Sequence, residues 1–347
     1  MKNDVIEYVK FSKLDVKDSF FESLIEDYSG FEKWFEKKTT KGENAYILKE
    51  NELQGFLYLK EEIEADDTIT PKFEEKRRLK IGTFKIDGHG TVLGERFIGL
   101  ILKKMIEENY LECYVTVFEK QKPLIRLFKK FGFCFWGTKD NGELVYVKSL
   151  ETKDNFHLDF PRIKIEKNNK FLLGIHPTYH TKLFPLSKLE TETNHKIEDL
   201  SFTNTVEKVY LTGMVGVDNI KSGDMLIIYR TAEPGKWARW SSVVTSVCTV
   251  IERKHIRDFS TVEDFIKYCG KGTIFSRGEL ESFWRRKNYP HIIKMLYNIA
   301  IPKRIVRHDL LEKGLINEGY AGFMPLTNLQ FEKTLELGEV NESFIIN

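Results

Sequence analysis

Residues 86–105 read IDGHGTVLGERFIGLILKKM, and this stretch decides the fold. Three glycines, at positions 88, 90 and 94, come immediately before a run with helical periodicity. Glycine lets another group approach the main chain closely, and the first N–H groups of a helix attract anions such as phosphate. The stretch therefore predicts either an anion-binding loop between a strand and a helix, or an ordinary corner with no ligand.

The segments on both sides of this loop alternate between strand and helix patterns. Period-2 alternation and β-branched residues predict strands at 77–87, 112–119 and 142–150, while apolar residues three and four apart predict a helix from about 93. The segment KPLIRLFKKFGF predicts a short helix that begins near Pro123 and ends at Gly132. The fold class predicted for the chain is mixed α/β.

The composition describes a globular protein of about two domains. The chain has 347 residues, of which 41% are hydrophobic and 31% charged, with a formal net charge of +2. No apolar run is long enough to span a membrane, and the N-terminus lacks the apolar core of a signal peptide. The four cysteines are far apart and form no CxxC pair, which favours a reducing cytoplasm. The oligomeric state stays open.

The order of elements over residues 79–133 resembles the GNAT superfamily of acyl-coenzyme A N-acyltransferases. The pyrophosphate loop of that family, Arg/Gln-x-x-Gly-x-Gly/Ala, aligns with His89-Gly90-Thr91-Val92-Leu93-Gly94. Its later signature, Asn-x-x-Ala-x-x-Leu-Tyr-x-x-x-Gly-Phe, aligns with QKPLIRLFKKFGF and keeps Leu127, Gly132 and Phe133. The resemblance covers residues 5–150 and implies a GNAT-like domain over residues 1–150 that binds acetyl-coenzyme A or another acyl-coenzyme A.

The resemblance also implies which residues hold the coenzyme. These are Phe84, Lys85, Ile86, His89, Gly90, Thr91, Val92, Leu93, Gly94, Glu95, Gln121 and Phe128. Amide formation needs a proton acceptor, and a carboxylate at a strand end suits that role. Asp87 and Glu119 are the candidates, and each is equally typical of a helix cap or a surface charge.

The sequence departs from the family pattern at several positions. His89 replaces Arg or Gln, Val92 replaces the first glycine of the pair, and Gln121 stands where Asn is usual. Phe128 stands where a tyrosine often protonates the leaving thiolate, and phenylalanine has no proton to give. Water or another group therefore supplies the proton, the thiolate leaves unassisted, or the domain has lost its activity.

The rest of the chain has a different character. Residues 151–170 are polar and weakly patterned, and are predicted to be a linker with a strand near 162–167. Residues 171–347 combine strands, glycine-aspartate turns and the segment IIYRT, and resemble the PUA-like β-barrels of the ASCH and EVE type. That resemblance implies a C-terminal β-barrel domain with helices that binds RNA or modified bases.

Local charge favours a nucleic-acid partner, most simply RNA. Between positions 271 and 313 there are ten basic residues against four acidic ones, a net charge of +6. Basic residues interleaved with the aromatic residues Trp284, Tyr289 and Tyr297 suit phosphate contact and base stacking, although a solvated basic face is the alternative. The candidates for nucleic-acid binding are Arg239, Trp240, Arg277, Trp284, Arg285, Arg286 and Lys287.

One pair of histidines raises the question of a metal. His176 and His180 are four apart, but Pro177 opposes a helix that starts before it and no third ligand is evident. We predict a structured loop at this position and no metal site.

Three functions are compatible with the sequence. The first is an acetyl-coenzyme A-dependent N-acyltransferase whose acceptor is an amine on a nucleic acid, RNA or tRNA above all. The second is a non-catalytic nucleic-acid-binding protein with a degenerate acyltransferase domain. The third is an acyltransferase for the amine of a protein or a small molecule.

Overall fold

The computed structural model describes residues 6–49, 51–87, 93–185, 205–319 and 321–346. Contacts within the chain divide it into two units, Met1–Glu151 and Thr152–Asn347. The segment 152–170, expected to be a linker, is grouped with the second unit. None of the helices in the described residues has the length and apolar character needed to cross a membrane.

The first unit is built on an eight-stranded sheet with the order β1-β2-β3-β5-β6-β8-β7-β4. Its strands are β1 (Ile6–Lys10), β2 (Asn44–Lys49), β3 (Leu53–Glu62), β4 (Ile69–Thr70), β5 (Arg78–Ile86), β6 (Glu112–Val117), β7 (Cys134–Lys139) and β8 (Leu144–Ser149). Its helices are α1 (Glu22–Asp27), α2 (Phe31–Thr40), α3 (Leu93–Glu107) and α4 (Lys122–Lys130). Among the described strands of this sheet, β5 and β6 are the one parallel pair.

Phenylalanine dominates one core of this unit. Phe11, Phe21, Phe35 and Phe56 are buried and contact one another edge to face, with ring centres 5.0–5.7 Å apart. Such pairs add to the free energy gained by burying the rings. This core fixes α1 and α2 against β2 and β3, and thereby positions the chain near the site described below.

The second unit contains a six-stranded sheet with the order β11-β14-β13-β12-β10-β15 and a separate pair, β16-β9. The strands are β9 (Ile163–Lys164), β10 (Lys170–Ile175), β11 (Glu207–Thr212), β12 (Met225–Arg230), β13 (Val243–His255), β14 (His291–Val306), β15 (Phe323–Leu326) and β16 (Ile345–Ile346). The helices are α5 (Pro177–Leu183), α6 (Ala238–Ser241), α7 (Val262–Cys269), α8 (Arg277–Arg286), α9 (Arg307–Glu312) and α10 (Asn328–Leu337). The β13–β14 pairing shifts register three times, and such bulges bend long strands.

The predicted mixed α/β class is confirmed, and one local prediction is wrong. The loop expected at His176 and His180 is the helix α5, with Pro177 at its first position and the His176 side chain as its N-cap. Proline is favoured there because the first helical N–H has no partner inside the helix. β14, the longest of the described strands, was not predicted, because its lysines and arginine were considered only as surface charge.

Candidate active site

The central parallel strands of the first unit separate at their carboxyl ends. β5 and β6 are paired from Arg78 and Glu112 as far as Ile81 and Val115. Beyond that point each strand is paired with its outer neighbour, β5 with β3 as far as Ile86 and β6 with β8 as far as Val117. We call this gap, between residues 82–86 of β5 and 116–117 of β6, the fork. Its inner edges carry main-chain groups that no neighbouring described strand satisfies.

A bulge at Gly82 marks the start of the fork. Tyr58 pairs with Thr83 and Leu59 with Ile81, so Gly82 is the extra residue in β5. A Cβ atom on Gly82 would lie 2.8 Å from Cδ1 of Tyr58, which explains the glycine. Bulges bend the strand that carries them and change the direction of the side chains that follow. The end of β5 is therefore turned away from the line of β6.

The start of α3 lies beside the end of β5. A Cβ atom on Gly94, the second residue of α3, would lie 3.3 Å from Cδ1 of Ile86 and 2.5 Å from Cδ2 of Leu127 in α4. The first N–H groups of a helix have no partner inside the helix, so they are available to a ligand. His89, Gly90, Thr91 and Val92, the core of the expected anion loop, lie outside the described residues.

The hydrophobic residues predicted to hold the coenzyme meet beneath the fork. Phe84 packs against Phe97 of α3 and Phe128 of α4, with ring centres 5.6 and 6.0 Å apart. Phe128 is fully buried and also contacts Phe133 at 4.9 Å. Leu93 is buried at the start of α3. Phe128 is thus a core residue, and a phenylalanine has no proton to give to a leaving thiolate.

The polar residues predicted for the same role have other contacts. Glu95 forms an ion pair with Lys130 at 2.7 Å. Gln121 precedes α4 without capping it, and its Nε2 donates a hydrogen bond to Asp27 at 3.5 Å. Lys85 is directed away from α3 and donates a hydrogen bond to Ser23 Oγ at 2.6 Å. Burial lowers the pKa of Lys85, and the nearby carboxylates oppose that change.

Helix α1 spans the mouth of the fork on the face opposite to α3. At β5 its Ser23 receives the hydrogen bond from Lys85. At β6 its Asp27 pairs with Lys120, and Tyr28, the residue after the helix, packs on Phe118 with ring centres 5.3 Å apart. The fork therefore has an α3–α4 face and an α1 face.

The two candidate bases lie where the sequence analysis expected, at the ends of the diverging strands. Asp87 directly follows β5 and Glu119 is the second residue after β6. Both are exposed, and neither carboxylate has a hydrogen bond to another described residue. Exposed carboxylates are well hydrated, which makes them ordinary surface charges as well as candidate bases.

The sequence analysis missed a polar pair beside the fork. The hydroxyl of Tyr28 donates a hydrogen bond to Oε1 of Glu143 at 3.0 Å. Glu143 is only 6% exposed and directly precedes β8. Burial, followed by the adjacent Glu143 carboxylate, raises the pKa of Tyr28. No local signal connects two residues 115 positions apart, so sequence reasoning had no means of pairing them.

In the second unit, α8 carries most of the residues predicted to bind nucleic acid. Arg277 is paired with two carboxylates, Glu263 and Glu281. Trp284 packs on Phe265, and Nζ of Lys287 lies 3.3 Å from the centre of the Trp284 ring. The remaining two, Arg285 and Arg286, are exposed and form no ion pair with another described residue. These two arginines of α8 can therefore contact a phosphate without first breaking an ion pair with a described residue.

Arg239 and Trp240 of α6 form a separate group. Arg239 donates a hydrogen bond to His308 at 3.0 Å and pairs with Glu312 and Glu318 at 2.7 and 3.6 Å. Trp240 is 56% exposed and stacks on His308 with ring centres 4.2 Å apart. No hydrogen bond, ion pair or ring contact between described residues joins this group to α8. To bind a phosphate, Arg239 would first have to break its ion pairs with these two carboxylates.

His180 is buried in the second unit. Its Nε2 lies 2.8 Å from Oγ1 of Thr245, and its Nδ1 has no hydrogen-bond partner among the described residues. Burial, with Arg230 and Arg304 nearby, lowers the pKa of His180 to about 3. In the part of the chain that the structure describes, no group of three His, Cys, Asp or Glu side chains is arranged to hold a metal.

Comparison with known proteins finds a curated relative that is similar to part of the chain. No protein-family model matches the chain. A curated relative, a probable spermine N(1)-acetyltransferase of Bacillus subtilis subsp. natto, is 34% identical over 89 residues, which are 24% of this chain and 59% of the relative. The chain thus spans about three fifths of that relative's length.

Two solved structures are similar to parts of the chain at low TM-score. A mutant of the ASCH protein from Zymomonas mobilis gives a TM-score of 0.32 at 10% identity, over 48% of this chain and 95% of that one. A putative acyl-CoA N-acyltransferase from Klebsiella pneumoniae gives 0.30 at 14% identity, over 43% of this chain and all of that one, 100%.

Proposed function

We propose that the first unit is an N-acyltransferase that uses acetyl-coenzyme A or another acyl-coenzyme A. The observation that carries this proposal is the fork between β5 and β6, with the start of α3 at its edge. Unpaired main-chain groups along a strand edge suit the extended arm of such a ligand, and a helix start suits its phosphates.

The described residues fit this ligand. The main chain of Phe84, Lys85 and Ile86 lies along the fork, and the amides of Leu93, Gly94 and Glu95 begin α3. A side chain at position 94 would occupy space that α4 already fills, so the approach to these amides depends on glycine. His89, Gly90, Thr91 and Val92 remain the proposed pyrophosphate contacts, and Gln121, just before α4, remains a further proposed contact, whereas Phe128 is fully buried and does not reach a ligand. When bound, the coenzyme supplies the acyl group as a thioester.

The protein's own contribution is binding, orientation and proton transfer. Donors on the free edge of β5 can hold the carbonyl oxygen, which gains negative charge during acyl transfer. Asp87 and Glu119 stay predictions as proton acceptors, because their position at the strand ends suits the role. Phe128 supports the wall of the site and takes no part in proton transfer.

We further propose that residues 171–347 present the acceptor as an amine linked to nucleic acid, with RNA as the first candidate. Arg285, Arg286 and Lys287 form an exposed or half-exposed basic end of α8 next to Trp284. Phosphate contacts from such residues, combined with stacking on an aromatic ring, are typical of single-stranded nucleic-acid binding.

A small polyamine is the second candidate acceptor, and one observation favours it. Four carboxylates act on the Lys85 ammonium at the mouth of the fork, those of Glu22, Glu26, Asp27 and Asp87. An acidic rim attracts a cationic amine. The curated relative is named for spermine, which agrees with this candidate.

Coenzyme binding tests the first proposal. Acetyl-coenzyme A at a hundred times its dissociation constant should stabilise the protein by about 2.7 kcal/mol. Gly94→Leu should abolish the thermal shift, because its side chain would meet Leu127 and Ile86, whereas Gly278→Ala, with open space around it, should keep it. No shift at millimolar coenzyme would leave the non-catalytic alternative.

Label transfer separates the acceptors. The protein is incubated with acetyl-labelled coenzyme A and either spermine or a mixture of aminoacyl-tRNAs. Label in tRNA that decreases in Arg285→Ala and Arg286→Ala supports the nucleic-acid acceptor. Label in spermine that is insensitive to these two substitutions supports the polyamine.

A further inference from the structure

Tyr28 and Glu143 form a hydrogen-bonded pair at the carboxyl end of β6. The ring of Tyr28 packs on Phe118, the first residue after β6, at 5.3 Å between ring centres. Val117 pairs with Leu144, so Glu143 lies beside Phe118 on the neighbouring strand end. Because β6 is one of the two strands that form the fork, this pair stands next to the fork on its α1 face.

Glu143 is held as an acceptor by two donors. Its Oε1 receives the Tyr28 hydroxyl at 3.0 Å, and its Oε2 receives Nδ2 of Asn141 at 2.9 Å. The carboxylate is 6% exposed, whereas Tyr28 is half-buried. The phenol oxygen is therefore the more accessible end of the pair.

This arrangement suits a proton relay. A phenol that donates to a carboxylate has a more electron-rich oxygen, whose remaining lone pair can accept a proton from a third group. The other charged group that acts on Tyr28 is Asp27, which is itself paired with Lys120. A relay that ends on the Glu143 carboxylate is thus set beside an ion pair between Asp27 and Lys120.

We propose that Tyr28 and Glu143 together take the proton that the acceptor amine loses, an inference that rests on the proposed N-acyltransferase function. The amine nitrogen bonds to the acyl carbon as the carbon–sulfur bond breaks, with its electron pair left on sulfur. The N–H proton moves to Oη of Tyr28 while the Tyr28 proton moves to Oε1 of Glu143. Glu143 then returns one proton to water through Tyr28, and sulfur takes one from water.

The pair suits this role better than either exposed candidate. Asp87 and Glu119 are exposed to solvent. Water stabilises their negative charge and exchanges protons with them, and neither effect assists the acyl transfer. Glu143 is withdrawn from water and keeps a fixed donor at hydrogen-bond distance. Preorganised proton acceptors of this kind typically contribute a factor of about 10² to 10⁴ in rate.

The test compares Tyr28→Phe, Glu143→Gln and the double variant. Tyr110→Phe is a matched control, because Tyr110 also donates to a glutamate, Glu61 at 2.9 Å, beside the opposite end of β6. Acyl transfer is measured to the better of two probes, spermine or aminoacyl-tRNA. We expect kcat to fall about 100-fold or more in each single variant, with KM for the probe little changed, and no further fall in the double variant.

Two readouts do not depend on turnover. All variants should keep the thermal shift with acetyl-coenzyme A, which excludes misfolding. Ultraviolet titration of the protein without coenzyme follows tyrosine ionisation. One tyrosine should ionise at a lower pH in Glu143→Gln than in the wild type. The signal of that tyrosine should be absent from Tyr28→Phe.

The outcomes separate this inference from the function on which it rests. If the wild type transfers the acyl group and either Tyr28→Phe or Glu143→Gln keeps kcat within threefold of the wild type, the relay is overturned. The proposed acyltransferase function is then unaffected. Losses that multiply in the double variant, or a rise in KM alone, would show two independent structural roles and would also overturn it. Failure of the wild type to acylate either probe would overturn the proposed function and the relay with it.

Discussion

Gly94 of α3 and Leu127 of α4 approach so closely that a Cβ atom on Gly94 would lie 2.5 Å from Cδ2 of Leu127. The same atom would lie 3.3 Å from Cδ1 of Ile86, so three elements meet at this glycine. The close approach sets the start of α3 against the end of β5. The geometry of the fork edge thus depends on the absence of one side chain.

Gly94→Ala should therefore destabilise the protein although alanine favours helices. Overpacking costs about 1–3 kcal/mol, which exceeds the gain of roughly 0.5–1 kcal/mol from replacing a helical glycine. Gly278→Ala in α8, with nothing within 4 Å of its Cβ, should be neutral or stabilising. The midpoints of urea denaturation measure both, and a Gly94→Ala midpoint at or above that of Gly278→Ala would contradict the packing argument.

A tyrosine placed at position 128 should not supply a proton donor. Phe128 is fully buried between Phe84 and Phe133, so the new hydroxyl would have to be buried among aromatic rings. We expect Phe128→Tyr to cost about 1–3 kcal/mol of unfolding free energy and to leave kcat no higher. The same change at Phe135, which is 56% exposed, should be nearly neutral. An active and fully stable Phe128→Tyr protein would show that the hydroxyl reaches the site.

Local signals predicted much of the fold. Patterns within each segment predicted the strands β5, β6 and β8 and the helices α3 and α4. Ser276 caps α8, and Glu279, three residues later, closes a capping box that depends only on neighbouring residues. These features depend on contacts within a few positions, which is the range that pattern reasoning covers.

The site needed information that no local pattern contains. The fork depends on where the pairing of β5 and β6 stops, which is set by the Gly82 bulge and by two outer strands. Arg239 carries the same charge as Arg285 in the sequence, yet only the fold shows that Arg239 is paired with Glu312 and Glu318. Long-range pairing of this kind decides which charges are available to a ligand.

His180 should make stability depend on pH. The pKa of this histidine is about 3 in the folded protein, against its ordinary value of 6.5 in the unfolded chain. Between pH 3 and pH 6.5, only the unfolded chain therefore takes up the proton. The free energy of unfolding therefore rises with pH over that window, and falls by about 1.4 kcal/mol per unit as the medium is acidified. Denaturation at pH 4, 5 and 6 should show a shallower dependence in His180→Gln than in the wild type. Parallel slopes would show that the imidazole takes up its proton in the folded protein as readily as in the unfolded chain.

Arg285 and Arg286 should contribute to nucleic-acid binding where Arg277 does not. A basic side chain that contacts a phosphate releases counterions, so removing it reduces the slope of log K against log salt by roughly 0.7–0.9. Arg285→Ala and Arg286→Ala should each show that reduction for single-stranded RNA. Arg277 is already paired with Glu263 and Glu281, so Arg277→Ala should leave the slope near the wild-type value. Equal effects of the three substitutions would mean that the ion pairs of Arg277 open on binding, and a wild-type slope of zero would remove the basic end of α8 from the binding surface.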